Sequence, residues 1–287
     1  MIYLFLCILA CCSFGFFFKF YERFGINTFL AITINYITAG AVGLLVNSHV
    51  IFSLNILDQP WFGYSLLIGV LFVAIFYLIA RSTQIIGLSA TQIVNRMSLV
   101  IPVAFSVYLY GDSMSYLKAI GMVLALAAVY FTFKKKSETK AKFNLKLTVL
   151  PILIFLSGGF LDTLFKYVQE YYIKDDHMIA FITVLTCTAG ITGLLINMAK
   201  SAKIPVRLDK KTLLGGVMLG IVNFCSLVLF FKALLHFQSS VVFSVNNIGI
   251  VTLSAIGGHF IFKEKLSLTN WGGVIIGAVS IVLITFN

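Results

Sequence analysis

Uncharged apolar runs of roughly 20 residues follow one another along the whole chain, interrupted only by short charged or turn-forming segments, and that pattern leaves few folds open. With 60% hydrophobic and 11% charged residues and a mean hydropathy of +1.02, the chain has more apolar surface than a soluble core of 287 residues can hide. Its solvent is therefore a bilayer. Backbone N–H and C=O groups in lipid must be satisfied within the structure, which restricts the segments to helices or closed barrels, and barrel strands are shorter and alternate. The runs predict an all-α integral membrane protein with ten transmembrane helices, over residues 2–19, 28–47, 61–80, 86–110, 116–133, 148–167, 178–198, 212–232, 239–262 and 269–286.

The first run is apolar from Ile2 onward, with no basic stretch before it and no small-residue cleavage site, so it reads as a span rather than a removable signal. The five cysteines lie within apolar runs without metal-ligand or redox spacing and read as small apolar packing residues. The +11 charge sits in short loops beside the spans, the pattern that orients a membrane protein, and not on a basic face suited to nucleic acid.

One phrase occurs twice. "TAGAVGLLVN" (Thr38–Asn47) and "TAGITGLLIN" (Thr188–Asn197) fall in the second and seventh runs and agree at seven of ten positions. Phe18-Lys19-Phe20-Tyr21 ends the first run and Phe165-Lys166-Tyr167-Val168 the sixth. Arg81 closes the third and Lys232 the eighth, while Gly121 and Ala125 of the fifth match Gly273 and Gly277 of the tenth. The order of these matches predicts a first five-helix repeat over residues 1–133, a polar basic linker over 134–147, and a second repeat over 148–287, together one membrane domain. Because five is odd, the second repeat threads the membrane in the opposite direction, giving two inverted five-helix repeats, an architecture of secondary transporters. Small residues four apart recur in both halves: Ala39 and Gly43, Ala189 and Gly193, Ser65 and Gly69, Gly216 and Gly220, Gly273 and Gly277. Such pairs allow close helix contact. Loops following the odd-numbered spans, including the lysines of "KKKSETKAKFNLK" (Lys134–Lys146), collect most of the basic residues. The positive-inside rule makes that face cytoplasmic and puts both termini outside.

The end of each half carries a recognisable pattern: "LSATQIVNRMSLVIPV" (Leu88–Val103), Gly111-Asp112 and Gly121 in the first, and "SSVVFSVNNIG" (Ser239–Gly249), Lys263-Glu264-Lys265 and Gly273 in the second. In these stretches the chain resembles the drug/metabolite transporter superfamily, specifically its ten-helix EamA-type members. Pro102 fits the family's helix proline; the second half has Leu253 and Ser254 there, and the first acidic turn is Gly-Asp where the family usually has Gly-Glu. The resemblance implies a central cavity lined by helices one to four and six to nine. It further implies metabolite export or exchange without a cofactor, coupled to protons or running down a gradient.

Ionisable groups at membrane depth cost about 2.5–3.5 kcal/mol on insertion and are functional candidates by default. Arg96 lies near mid-membrane in the fourth run and can fork two donors onto a carboxylate, or tether Asp162. Asn95, Asn246 and Asn247 fall at matched depth in the fourth and ninth runs and offer amide donors and acceptors, or helix–helix glue. Asp162 is the carboxylate inside a span; it can bind a substrate amine or cycle a proton, or pair with Lys166 four residues on. Lys19 and Lys166, at helix ends, are expected to snorkel to the interface. Asn35, Thr186 and Asn223 complete the candidate set.

These residues predict a transporter of a small polar metabolite, an amino acid or related zwitterion, in a bacterial plasma membrane. Efflux of lipophilic cations is the alternative. An enzyme is not expected, since there is no HExxH, no paired intramembrane carboxylates and no mid-span histidine. The expected partners are the small-molecule substrate and membrane lipid, with the chain a monomer or weak homodimer.

Overall fold

A computed structural model describes residues 2–46, 48, 55–110, 115–133, 145–173, 177–201, 208–237 and 239–285. Its helices are α1 (Ile2–Phe24), α2 (Thr28–Val46), α3 (Phe62–Ile85), α4 (Leu88–Met97), α5 (Val100–Tyr110) and α6 (Tyr116–Phe133). These are followed by α7 (Leu145–Tyr172), α8 (Met178–Ser201), α9 (Lys210–His236), α10 (Ser239–Phe260) and α11 (Leu268–Thr285). Among the described residues seven stretches are long and apolar enough to cross a membrane: α1, α2, α3, the α4–α5 segment Leu88–Phe105, and most of α7, α8 and α9; α6 and α11 are shorter apolar helices. The protein is an all-α, membrane-embedded chain. Leu45, Val123, Leu195 and Ile275 keep large apolar side chains uncovered by protein, as lipid-facing positions do.

Helix covers most of each stretch the sequence marks, and two differences are large. Residues 86–110 are not one helix: the chain turns at Ser98–Leu99, between α4 and α5. Pro102 is the cause. It has no N–H to give to the Ser98 carbonyl, and its ring would crowd that carbonyl in a continuous helix. Ser98 O instead accepts from Ile101 N at 2.9 Å, and Pro102 sits in the first turn of a new helix, where the missing donor costs nothing. The second difference is that α7 starts at Leu145, inside the segment expected to be linker; residues 134–144 and the Gly111-Asp112 turn lie outside the described residues.

Caps set the helix boundaries. The Asn27 side chain accepts from Leu30 N, Ser115 Oγ from Lys118 N, and Asp209 Oδ1 from Thr212 N, each at 3.1 Å. The Thr212 hydrogen bonds also hold the Asp209 carboxyl below its ordinary pKa. α1 ends on Gly25 at φ 66, a conformation that favours glycine, with Ile26 N donating back to Tyr21 O at 2.9 Å. Asn270 serves two helices. Its Oδ1 accepts from Ser267 N at 2.9 Å at the start of α11, and its Nδ2 donates to Thr132 O at 2.6 Å at the end of α6. Asn270→Ala is therefore expected to lower unfolding stability by about 2 kcal/mol, one cap plus one interhelical hydrogen bond, measured by denaturation in detergent.

The framework divides into two compact units, each drawing on both halves of the sequence. One contains Met1–Lys19, Leu78–Asp162 and Ser226–Asn287; the other contains Phe20–Tyr77 and Thr163–Cys225. In the first, α6 packs along α11 and α4 along α10. Its core includes Ile93, Met97, Ala125, Ala128, Val251, Ala255 and Ile281, and a second cluster joins Leu4, Ile8, Ala233, Val242 and Ile250. In the second, α2 packs along α8, and Trp61 sets its ring edge-on to Phe181 at 5.8 Å.

The small residues lie where helices touch, and their contacts come in reciprocal pairs. A Cβ at Gly43 would lie 2.5 Å from Thr183 Oγ1, and one at Gly193 2.6 Å from Thr33 Oγ1; each contact is the other displaced by 150 positions (43 to 193, 33 to 183). Gly40 on Cys187 and Gly190 on Ile37 repeat that relation. Gly69 meets Leu185 O and Thr188, while Gly220 meets Asn35 O and Thr38. In the first unit Gly121 meets Ile284 and Gly273 meets Thr132, displaced by 152 (121 to 273, 132 to 284).

Candidate functional site

α4 ends one residue after Arg96, so Asn95 and Arg96 sit on the last turn of a short helix whose terminal carbonyls carry partial negative charge. Ser98 Oγ caps the break by donating to Asn95 O at 2.6 Å. Across from this turn lies α10. Arg96 Nη1 donates to Asn247 Oδ1 at 3.3 Å, a pairing across 151 positions of sequence. Arg96 Nε is buried and has no hydrogen-bond partner among the described residues. A buried guanidinium donor without an acceptor is costly and so invites an explanation beyond packing.

Asn246 and Asn247 are adjacent but do different work. Asn246 is buried and its Oδ1 accepts from the Cys7 thiol at 3.6 Å; Cys7 Sγ lies 4.0 Å from Cys11 Sγ on the next turn of α1. Arg96 is within electrostatic range of Cys7, Cys11 and Cys12. Cys7 and Cys12 are buried and Cys11 is half-buried, as small packing residues are.

α7 brings the carboxylate. At Gly158 a Cβ would stand 3.3 Å from both Asn95 Oδ1 and Ser98 Oγ, so the absent side chain lets α7 close on the end of α4. Asp162 is one turn further, on the same face of α7, and its side chain is exposed. Arg96 and Asp162 act on each other electrostatically, but the two form no ion pair within 4.0 Å among the described residues. Asn95, Arg96, Asp162, Asn246 and Asn247 thus all belong to the first unit.

Asn35, Thr186 and Asn223 belong to the other unit. Asn223 Nδ2 donates to Asn35 Oδ1 at 3.1 Å, leaving Asn35 Nδ2 buried without a partner among the described residues. Thr186 Oγ1 faces the carbonyls of Ile182 at 2.9 Å and Thr183 at 3.0 Å, so its hydroxyl hydrogen is committed within α8.

One feature is absent from the sequence reading and another departs from it. Gln92 lies one turn before Arg96 on α4, buried, with Oε1 unpartnered among the described residues. An acceptor and a donor on one helical face are therefore both unsatisfied. The visible signal was its spacing, four residues before Arg96 in a stretch otherwise poor in large polar side chains. The other is Lys19. Its ammonium does not run outward as a snorkelling side chain; it lies 3.9 Å from Glu264 Oε1 and donates to Gln84 O at 3.4 Å.

No family model matches the chain. An uncharacterised protein of Haemophilus influenzae is 26% identical over 212 residues, which is 73% of this chain and 70% of that protein. One protein of known crystal structure is 16% identical with a TM-score of 0.61, covering 99% of this chain and 96% of the other. The two share a fold.

Proposed function

We propose that the chain is a secondary transporter of a small zwitterionic metabolite, an amino acid or close relative, of the drug/metabolite transporter type. It would be built as ten spans in two inverted five-helix repeats, 1–133 and 148–287, joined by a basic linker. The observation that carries this reading is the hydrogen bond between Arg96 and Asn247, positions that match each other in the two halves. A residue that touches its own counterpart lies on the axis relating the copies, and midplane sites at a repeat interface are where such transporters bind. The reciprocal glycine contacts support the same relation, because an isologous pairing makes residue i meet j and j's copy meet i's copy.

The chemistry follows from the charges. Arg96, whose Nε has no partner among the described residues, takes the carboxylate; Gln92 Oε1 and the exposed Asp162 carboxylate take the ammonium; Asn95 and Asn247 orient both. Asn246 is held by the Cys7 thiol and stays out of this set. No cofactor is needed, and protonation of Asp162 offers a route to coupling. Efflux of lipophilic cations fits less well, since a guanidinium at the centre repels its substrate. The excess of Lys and Arg in the loops after the odd-numbered spans supports an orientation with both termini outside a bacterial plasma membrane. In proteoliposomes, counterflow of labelled neutral amino acids is expected above empty vesicles and is blocked by excess unlabelled substrate. Resistance to cationic dyes in an overexpressing strain, without amino-acid flux, would favour the alternative.

A further inference from the structure

One carboxylate from the turn between α10 and α11 holds the N-terminus of α4. Glu264 Oε1 accepts from Leu88 N at 2.6 Å, and Oε2 accepts from Ser89 N at 3.2 Å and Ser89 Oγ at 2.9 Å. Lys19 Nζ of α1 stands 3.9 Å from Oε1. An anion against the first N–H groups of a helix, with a cation beside it, makes charge-assisted hydrogen bonds. Two glycines clear the space. Gly87 has φ 125, and a Cβ there would lie 2.9 Å from Glu264 Oε1; one at Gly258 would run into Ser89 Oγ and lie 2.5 Å from Oε2. Gln84 of α3 closes the cluster, donating from Nε2 to Phe18 O at 3.1 Å while its carbonyl receives Lys19. Four chain segments thus meet at one ionic knot, about 12 Å along α4 from Arg96 at 1.5 Å per residue.

Exchanging the two halves of the sequence sorts the contacts into two kinds. The Arg96–Asn247 contact maps onto itself, and so do the reciprocal glycine pairs. The Glu264 knot does not. Positions 19, 89 and 264 map onto 166, 240 and 112, where the sequence places Lys166, Ser240 and Asp112, the same three chemical types. Asp112 lies outside the described residues. In a transporter whose halves swap conformations to change access, self-mapping contacts persist and the others alternate.

We propose that Glu264, Lys19 and Ser89 form a latch, made in one access state and released in the other, that positions α4 and with it Asn95 and Arg96. The inference rests on the transporter reading above. Its test is hydrogen exchange by mass spectrometry on the full chain in lipid nanodiscs, with no ligand needed. Peptide 84–92 of the wild type is expected to exchange as two populations, one protected and one open. Glu264→Gln, which removes the charge and keeps the shape, is expected to shift the ratio toward open by about tenfold, and Lys19→Met by less in the same direction. Peptide 121–132, in a self-mapping contact, is expected to be unchanged in all three proteins. A single uniformly protected population in the wild type, or a Glu264→Gln protein that exchanges like the wild type, overturns the latch and leaves a static cap. Counterflow of labelled alanine separates the two ideas: if the wild type moves none, alanine transport fails, while the exchange experiment still decides whether the knot opens.

Discussion

Arg96→Met is expected, under the transport role proposed above, to abolish substrate flux while leaving the protein as stable as the wild type or more so. The two effects separate because the guanidinium is held at a cost. Its Nε is buried and has no hydrogen-bond partner among the described residues, and its hydrogen bond to Asn247 is long at 3.3 Å. Methionine fills similar space without a charge, and removing an arginine from mid-membrane recovers up to about 3 kcal/mol of insertion cost. The lost interaction with substrate works the other way. A charge-assisted hydrogen bond to a carboxylate is worth about 1.5–3 kcal/mol, so affinity should fall by roughly 10- to 100-fold, below detection in a vesicle assay. Arg96→Lys keeps the charge and loses the fork, and should retain measurable flux with weaker half-saturation. The measurements are counterflow in proteoliposomes and the thermal-unfolding midpoint in detergent. Should Arg96→Met lose flux and stability in proportion, the residue is a structural tether and the binding role falls.

What sequence alone carried was the pattern, and what it missed was the pairing. The helix positions followed from apolar run length because lipid leaves the backbone few choices, and the small-residue pairs marked the close contacts because only small side chains permit them. The break at Ser98 is hidden from run length because hydropathy continues through it; its signal is Pro102, four residues on, which removes the donor a continuous helix needs there. Asn246 and Asn247 are indistinguishable by composition and periodicity, yet one is committed to a thiol and the other to Arg96. Lys19 was assigned to the interface by its place at a helix end. Its partner lies at the far end of the sequence, in an acidic turn whose capping of α4 no local pattern encodes. Gln92 went unnoticed because an amide in a membrane helix reads as glue until its neighbours are known to leave it unpaired.

Gly69→Val and Gly220→Val are expected to destabilise the protein strongly and by similar amounts. A Cβ at Gly69 would stand 2.7 Å from Leu185 O and 2.8 Å from Thr188 Cβ; at Gly220 it would stand 2.6 Å from both Asn35 O and Thr38 Cβ. In each case the obstacle includes a backbone carbonyl of a packed helix, which cannot swing aside as a side-chain tip can. Overpacking of this kind costs about 1–3 kcal/mol even where side chains give way, so each substitution should reach at least the upper end. At roughly 2–4 °C per kcal/mol for a chain of this size class, the unfolding midpoint should drop by about 6–12 °C. Gly63→Val and Gly272→Val, where nothing lies within 4 Å of the added Cβ, serve as controls and should change little beyond helix propensity. Equality of the two drops is the informative part. Gly69 and Gly220 occupy matching places in the two halves, and so do the residues they meet, so one duplicated interface predicts one cost paid twice. A large drop at Gly69 beside a neutral Gly220 would mean that the two contacts are not images of each other, and the proposed relation between the halves, on which the Arg96 site rests, would lose its support.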